Sequence, residues 1–239
     1  MPRAIKATLD KIMKGKQIGV EQLDDLLEGT QKNKFKALAN FVSRMSLGLR
    51  MFTLAQVLTK PEHHAIFSLK VNELEETVTE ASKNLIVTCV SAIEVYFKEV
   101  IVENADGWNV IGYDKLLSEK ITLSEAYHLF KHTDVSREAI VAEHYSFQSI
   151  EQIASTMDTL TGSKFYDKVV QTTTKDVPKK GNWDTDYQPH LRELFELRNR
   201  IIHENTSKLT INGKKTLQLW TTALSFIIRV HTYVQIFRV

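Results

Sequence analysis

The feature that most constrains the fold is a long stretch of helical periodicity, from about residue 70 to residue 103. Its apolar residues recur three and four positions apart, which places them on one wide face of an α-helix. A helix with so broad an apolar face is buried for most of its length, so the stretch predicts the centre of the core. The face comprises Leu85, Ile86, Cys89, Val90, Ile93, Phe97, Val100 and Ile101.

Helical periodicity extends over most of the remaining chain. Amphipathic segments run from Lys34 to Val57 and from Leu217 to Phe237, and another helix lies between a cap at Ser149 or Gln148 and an end at Gly162. Residues 1–30 contain two shorter helical pieces. Because no internal repeat or low-complexity tract interrupts this pattern, the sequence predicts an all-α fold.

Two segments depart from the helical pattern. Residues 171–190 read as one long irregular stretch, and long ordered loops in compact domains are often functional. Its lysines and its tryptophan suit single-stranded nucleic acid, through phosphate contacts and base stacking, and suit equally a surface loop anchored by the aromatic ring. Farther along the chain, Asn212-Gly213 suggests the turn of a small hairpin. The residues that could contact RNA are Lys175, Lys179, Lys180 and Trp183.

Composition and charge exclude several classes of protein. The 239 residues carry 31 Lys and Arg against 29 Asp and Glu, so a net charge of +2 gives no whole-chain argument for nucleic-acid or membrane binding. Cys89 is the only cysteine, which excludes an internal disulfide and a cysteine-based zinc site. No signal-peptide core and no apolar stretch of the ~20 residues that a membrane span requires are present. We therefore expect a cytoplasmic protein without membrane contact.

The stretch Leu191–Thr206, LRELFELRNRIIHENT, carries an unusual arrangement of polar residues. Arg198 falls near the middle of an apolar stripe, although a guanidinium is costly to bury without a partner. Asn199 and His203 lie one helical turn apart on the flank of that stripe. Either Arg198 is paired inside the fold, or the stripe lines a site where a charge is wanted. The stripe comprises Leu191, Leu194, Phe195, Leu197, Ile201 and Ile202.

Glu94 lies at the margin of the apolar face of the 70–103 helix, within the run SAIEVYFKEV. It can be an ordinary, partly exposed carboxylate on a helix flank. It can also be the counter-ion of Arg198, or the carboxylate that orients His203. If Arg198 and Glu94 form only a buried ion pair, the chain is an assembly protein, and this alternative stays open.

The run LRELFELRNRIIHENT resembles the final active-site helix of HEPN domains. These all-α proteins carry an arginine followed four to six residues later by a histidine, often with Asn directly after the arginine. Arg198, Asn199 and His203 match this motif. The runs KNLIVTCVSAIEVYFKEV and FQSIEQIASTMDTLTG, the latter followed by FYDKV, resemble segments of HEPN domains of the RiboL-PSP type. The resemblance implies an all-α, HEPN-like antiparallel helical bundle at residues 70–239. Residues 1–69 fall outside it, and their helical periodicity predicts an N-terminal helical extension.

Many HEPN domains are metal-independent endoribonucleases of toxin–antitoxin, phage-defence or RNA-processing systems. They typically dimerise so that two Arg/His motifs face one cleft. The resemblance therefore implies an RNA substrate, a homodimer, an antitoxin or defence-system partner protein, and no metal or cofactor. It makes His203 the general acid or base and Arg198 the phosphate ligand, with Asn199 fixing geometry and Glu94 positioning Arg198 or His203. The alternative is a non-catalytic helical module that binds RNA or protein, since members can keep the fold and lose cleavage.

Overall fold

The computed structural model describes residues 35–60, 71–105, 136–174, 183–204 and 209–236, with isolated positions between residues 24 and 131. No strand occurs in these ranges, and the prediction of an all-α fold is confirmed. None of the described helices is long and apolar enough to cross a membrane. The helices are α1 Lys36–Leu58, α2 Val71–Glu103, α3 Arg137–His144, α4 Ile150–Thr161, α5 Phe165–Thr174, α6 Trp183–His203 and α7 Gly213–Ile236.

The first two helices pack antiparallel over most of their length. At the start of α1, the backbone nitrogen of Ala37 donates to Oε2 of Glu103 at the end of α2, at 2.8 Å. Farther along the pair the helices approach closely at Gly48, because a Cβ there would lie 2.9 Å from Cδ1 of Leu85. Side chains of both helices belong to one hydrophobic core. A domain boundary at residue 69 therefore stays a prediction, with α1 and α2 packed together across it.

The last helix lies inside the bundle. Every residue of α7 from Leu219 to His231 is buried, so the amphipathic pattern predicted for it understates its burial. A helix buried on all sides lies between other elements, not on their surface. Its polar residues tolerate this position because hydroxyl groups such as those of Thr221 and Thr222 donate to backbone carbonyls one turn earlier, at 2.8 and 2.9 Å.

Both segments that were predicted to be irregular contain helix. The prediction of one long irregular segment at 171–190 is wrong at both ends. Residues 171–174 end α5, and residues 183–190 begin α6, with Pro189 inside the helix. The hairpin is also wrong, because α7 begins at Gly213. Oδ1 of Asn212 accepts a hydrogen bond from the backbone nitrogen of Lys214 at 2.7 Å. Asn212 therefore caps a helix instead of forming a hairpin turn.

The fourth helix has the ends that its sequence predicts. Oγ of Ser149 accepts from the backbone nitrogen of Gln152 at 3.2 Å and caps the N-terminus. Gly162 ends the helix with a left-handed φ of 64°, a conformation that favours glycine. The cap fixes the start of α4, and Gln148 directly precedes it. This placement brings the Gln148 side chain to α2 and α6.

Candidate active site

The C-terminal turns of α6 leave the core and enter solvent. Leu191, Leu194 and Phe195 are buried, whereas Leu197 and Ile201 are only half-buried. The apolar stripe predicted for this helix is not buried along its whole length, because its last member, Ile202, is 47% exposed. The residues of the Arg-Asn-x-x-x-His motif therefore lie at the edge of the core. Arg198 is half-buried, and both Asn199 and His203 are exposed.

The guanidinium of Arg198 is held from one side. Its Nη1 donates to Oε1 of Gln148 at 3.4 Å and to Oδ1 of the adjacent Asn199 at 3.0 Å. Its Nε is buried and has no hydrogen-bond partner within the described structure. A buried donor that lacks an acceptor is uncommon in folded proteins and needs an explanation. The arrangement positions the guanidinium while leaving donor capacity unused.

Glu94 reaches Arg198 only through Gln148. Nε2 of Gln148 donates to Oε2 of Glu94 at 3.5 Å, while its carbonyl oxygen faces the arginine. No ion pair within 4.0 Å joins Glu94 and Arg198. A carboxylate, an amide and a guanidinium thus form a relay across α2, the start of α4, and α6. The direct counter-ion that the sequence suggested is replaced by a neutral spacer.

The other arginines on this helix differ from Arg198 in their pairing. Arg192 lies 3.3 Å from Oε1 of Glu151 on α4, and Arg200 lies 3.3 Å from Oε2 of Glu204. Both ion pairs are largely exposed. Among the described arginines of α6, only Arg198 has no carboxylate partner. Among the arginines of this helix, it is therefore the one whose positive charge no described carboxylate offsets, and this charge is available to an anion.

His203 occupies the last residue of α6 and is exposed to solvent. It follows Arg198 by five positions, which corresponds to about 140° around a helix. Asn199 and His203 share a side of the helix, whereas Arg198 turns toward Gln148. Within one chain the motif therefore presents the guanidinium and the imidazole in different directions.

The remaining predicted site residues lie beyond what the structure describes. Lys175, Lys179 and Lys180 fall outside the described residues, and Trp183 begins α6 without a described side chain. Their contact with RNA stays a prediction. The described residues hold no group of three or more His, Cys, Asp or Glu positioned to bind a metal ion.

Gln148 is the site residue that the sequence did not reveal as functional. The residues before α4 indicated a helix cap at Ser149 or Gln148, and the cap is Ser149. A glutamine next to a cap carries no signal of its role, because its partners lie 54 and 50 positions away in the chain. Only the packing of three helices brings the relay together.

Comparison with known families identifies the domain that carries these residues. A family model described as RiboL-PSP-HEPN matches residues 64–235. The chain belongs to the RiboL-PSP-HEPN family. Neither the curated proteins nor the solved structures contain a detectable match. The part that matches the RiboL-PSP-HEPN family includes Glu94, Gln148, Arg198, Asn199 and His203, whereas α1 precedes it.

Proposed function

We propose that this protein is a metal-independent endoribonuclease of the HEPN type, which cleaves RNA by attack of a 2′-hydroxyl on the adjacent phosphate. The observation that carries the proposal is the guanidinium of Arg198. It has no carboxylate partner, and its described hydrogen bonds come from Nη1 alone, to the neutral side chains of Gln148 and Asn199. Because the planar guanidinium fork matches phosphate oxygens, a phosphodiester is the anion best suited to it.

The residues of the motif divide the chemistry in a simple way. A base takes the proton of the 2′-hydroxyl, whose oxygen bonds to phosphorus, and an acid protonates the 5′-oxygen that leaves. This produces a 2′,3′-cyclic phosphate and a 5′-hydroxyl end, and no oxidant, water or metal enters the step. Imidazole suits both proton transfers because its unperturbed pKa lies near neutral pH. His203 is exposed to solvent, where RNA can reach it, and Arg198 stabilises the charge that develops on the phosphorane.

Two copies of α6 complete the proposed site. Arg198 and His203 point about 140° apart around the helix, so the two side chains of a single chain are poorly placed to contact the same phosphate. A homodimer in which two Arg/His motifs face one cleft supplies a base from one copy and an acid from the other. This is the arrangement typical of HEPN ribonucleases. A toxin or phage-defence effector acting on cytoplasmic RNA, held in check by an antitoxin or defence-system partner, fits such an enzyme.

The test compares two histidines of the same helix. His203→Ala is expected to reduce cleavage of labelled RNA by about 10²- to 10⁴-fold, the usual contribution of general acid–base catalysis. His190→Ala is the matched control, because His190 contacts Gln218 of α7 at 3.0 Å and lies outside the motif. Cleavage is measured in EDTA, with product ends identified chemically. Equal cleavage by His203→Ala and the wild type contradicts the mechanism.

A second candidate is a helical module that binds RNA or protein without cutting. One observation favours it: His203 has no described hydrogen bond to hold its ring in one orientation. Efficient catalytic imidazoles are usually oriented by a second group. Under this alternative, Arg198→Met weakens retardation of RNA on a gel, and the RNA remains intact over long incubation with the wild type.

A further inference from the structure

The first helix exposes a line of apolar side chains on the side away from the core. Leu47, Met51 and Leu54 are 64%, 61% and 53% exposed, and Leu58 continues the line at the end of the helix. Successive members are four, three and four residues apart. This is the spacing of a seam that packs against another helix. Scattered exposed leucines are ordinary, but a continuous seam marks an interaction surface.

The seam forms one wall of a groove of about 820 Å³ between α1 and α2. The opposite wall is the N-terminal half of α2, which contributes Glu73, Glu76 and Glu80. Glu80 is paired with Lys83 at 2.6 Å, and Arg44 lines the groove from α1. Because α1 and α2 are antiparallel, Glu73 and Glu76 lie beside the C-terminal end of the seam and Arg44 lies beyond its N-terminal end. Opposite charges therefore occupy opposite ends of one apolar groove.

We propose that the groove binds α1 of a second copy of this chain, antiparallel, about a two-fold axis between Met51 and Leu54. A spacing of four, three and four reads the same in both directions, so the seam is complementary to itself in the antiparallel orientation. Leu47 of each copy then packs against Leu58 of the other. A parallel copy instead aligns each side chain with itself.

The charges select the same orientation. In the antiparallel pair, Arg44 of each copy lies beside Glu73 and Glu76 of the other, and the two-fold axis forms this contact twice. A parallel pair places arginine near arginine and glutamates near glutamates, which is repulsive. The groove is therefore self-complementary in shape and in charge.

This interface is separate from the candidate active site. The α1 residues of the groove come before residues 64–235, the part of the chain that the family model matches. None of the residues that line the groove belongs to the relay or to the Arg/His motif. The inference does not rest on the proposed ribonuclease activity. A catalytically impaired His203→Ala protein is expected to keep the interface.

The first experiment measures the mass of the full chain by light scattering and sedimentation over a range of concentrations. Met51→Glu places a charge from each copy next to the two-fold axis, against Leu54 of the other copy, and we expect the dissociation constant to rise about 100-fold or more. Thr53→Glu is the matched control, since Thr53 is exposed on α1 but outside the seam. A change from dimer to monomer, or from tetramer to dimer, in the Met51→Glu protein alone supports the proposal.

A second experiment tests the orientation by disulfide formation between two differently substituted chains. Leu47→Cys chains are expected to crosslink to Leu58→Cys chains but not to themselves. In the antiparallel pair, residue 47 of one copy lies level with residue 58 of the other. The two copies of residue 47 are therefore 11 positions apart along the helices, or about 16 Å, beyond the reach of a disulfide, and the same holds for residue 58. Cys89 is buried and does not interfere. Self-crosslinking of each variant, or a wild-type chain that is monomeric at every concentration, overturns the proposal.

The charges are tested by reversal. Arg44→Glu is expected to weaken association, and so is the pair Glu73→Arg with Glu76→Arg. The protein that combines all three changes is expected to recover association, because both sets of contacts then again join opposite charges. Failure of the combined variant to recover refutes this pairing. A purified chain that stays monomeric but binds a basic amphipathic helix through this groove identifies a different occupant and also refutes it.

Discussion

The substitution Arg198→Met separates a structural arginine from a functional one. If Arg198 served as a buried ion pair with Glu94, removing it would strand a buried carboxylate and cost about 3–5 kcal/mol. The contacts predict a much smaller loss. Glu94 meets the amide of Gln148 and not the guanidinium, and Gln148 accepts from Arg198 only at 3.4 Å.

The magnitude follows from the contacts that methionine loses and keeps. One long hydrogen bond to Gln148 contributes about 0.5–1.5 kcal/mol, as is typical of hydrogen bonds in proteins. The contact with Asn199 is exposed, so water replaces it at little cost. Methionine retains much of the packing of the arginine stem, and it removes the buried Nε that lacks a partner. We expect a net destabilisation of about 1 kcal/mol or less.

The assay is thermal or urea unfolding of the full-length protein. For a chain of this size 1 kcal/mol shifts Tm by roughly 2–4 °C. Phe97→Ala is the positive control, because Phe97 is fully buried and stacks on Phe147 with ring centroids 5.6 Å apart. That change is expected to cost about 3–5 kcal/mol. If Arg198→Met lowers stability as much as Phe97→Ala does, the guanidinium is structural and the argument for an anion site is refuted.

Three further predictions follow from individual side chains. Gln148→Leu is expected to lower kcat about tenfold by releasing Arg198, and to have no further effect in an Arg198→Met background; additive losses would show that Gln148 does not act through Arg198. Burial raises the pKa of the Cys89 thiol, so a thiol reagent is expected to modify it only as fast as the protein unfolds, and rapid labelling of the native protein would contradict that burial. Burial raises the pKa of Tyr166 to about 12, against the opposing charges of Arg192 and Arg229. Because the folded-state pKa lies above the unfolded value, its stabilising contribution is complete below pH 10 and is lost as the pH rises through 12, which a phenolate absorbance titration beside unfolding curves measures.

Elements with strong local signals could be predicted from the sequence. The apolar periodicity of α2 predicts a buried helix, and every residue of the predicted face, from Leu85 to Ile101, is buried. Ser149 and Gly162 mark the ends of α4, because a hydroxyl cap and a left-handed glycine are local solutions to unpaired backbone groups. The motif of Arg198, Asn199 and His203 is likewise contiguous, and the family match covers it.

Features that depend on packing were not predictable in the same way. Pro189 and the polar residues around it obscure the start of α6, because these residue types have low helix propensity. The burial of every residue of α7 from Leu219 to His231 cannot be read from an amphipathic pattern, since Arg229 and His231 are polar yet buried. The sequence suggests Glu94 as a partner of Arg198. It does not suggest Gln148, whose amide lies between them and whose surrounding sequence indicates only a helix cap.

The amide spacer has a consequence for anion binding that a direct ion pair lacks. A carboxylate 4 Å from the guanidinium would attract it by about 4 kcal/mol at an effective dielectric constant near 20. A phosphate would have to compete with that attraction. With Gln148 interposed, the arginine is held by a neutral acceptor and Glu94 acts from a greater distance, so less of the positive charge is cancelled. The relay therefore combines two requirements that normally conflict, since it orients the guanidinium and leaves its charge available. Replacing Gln148 by glutamate tests this reasoning directly: the new carboxylate pairs with Arg198 and loses the donor that Glu94 accepts from, and RNA affinity is expected to fall whatever the change in stability.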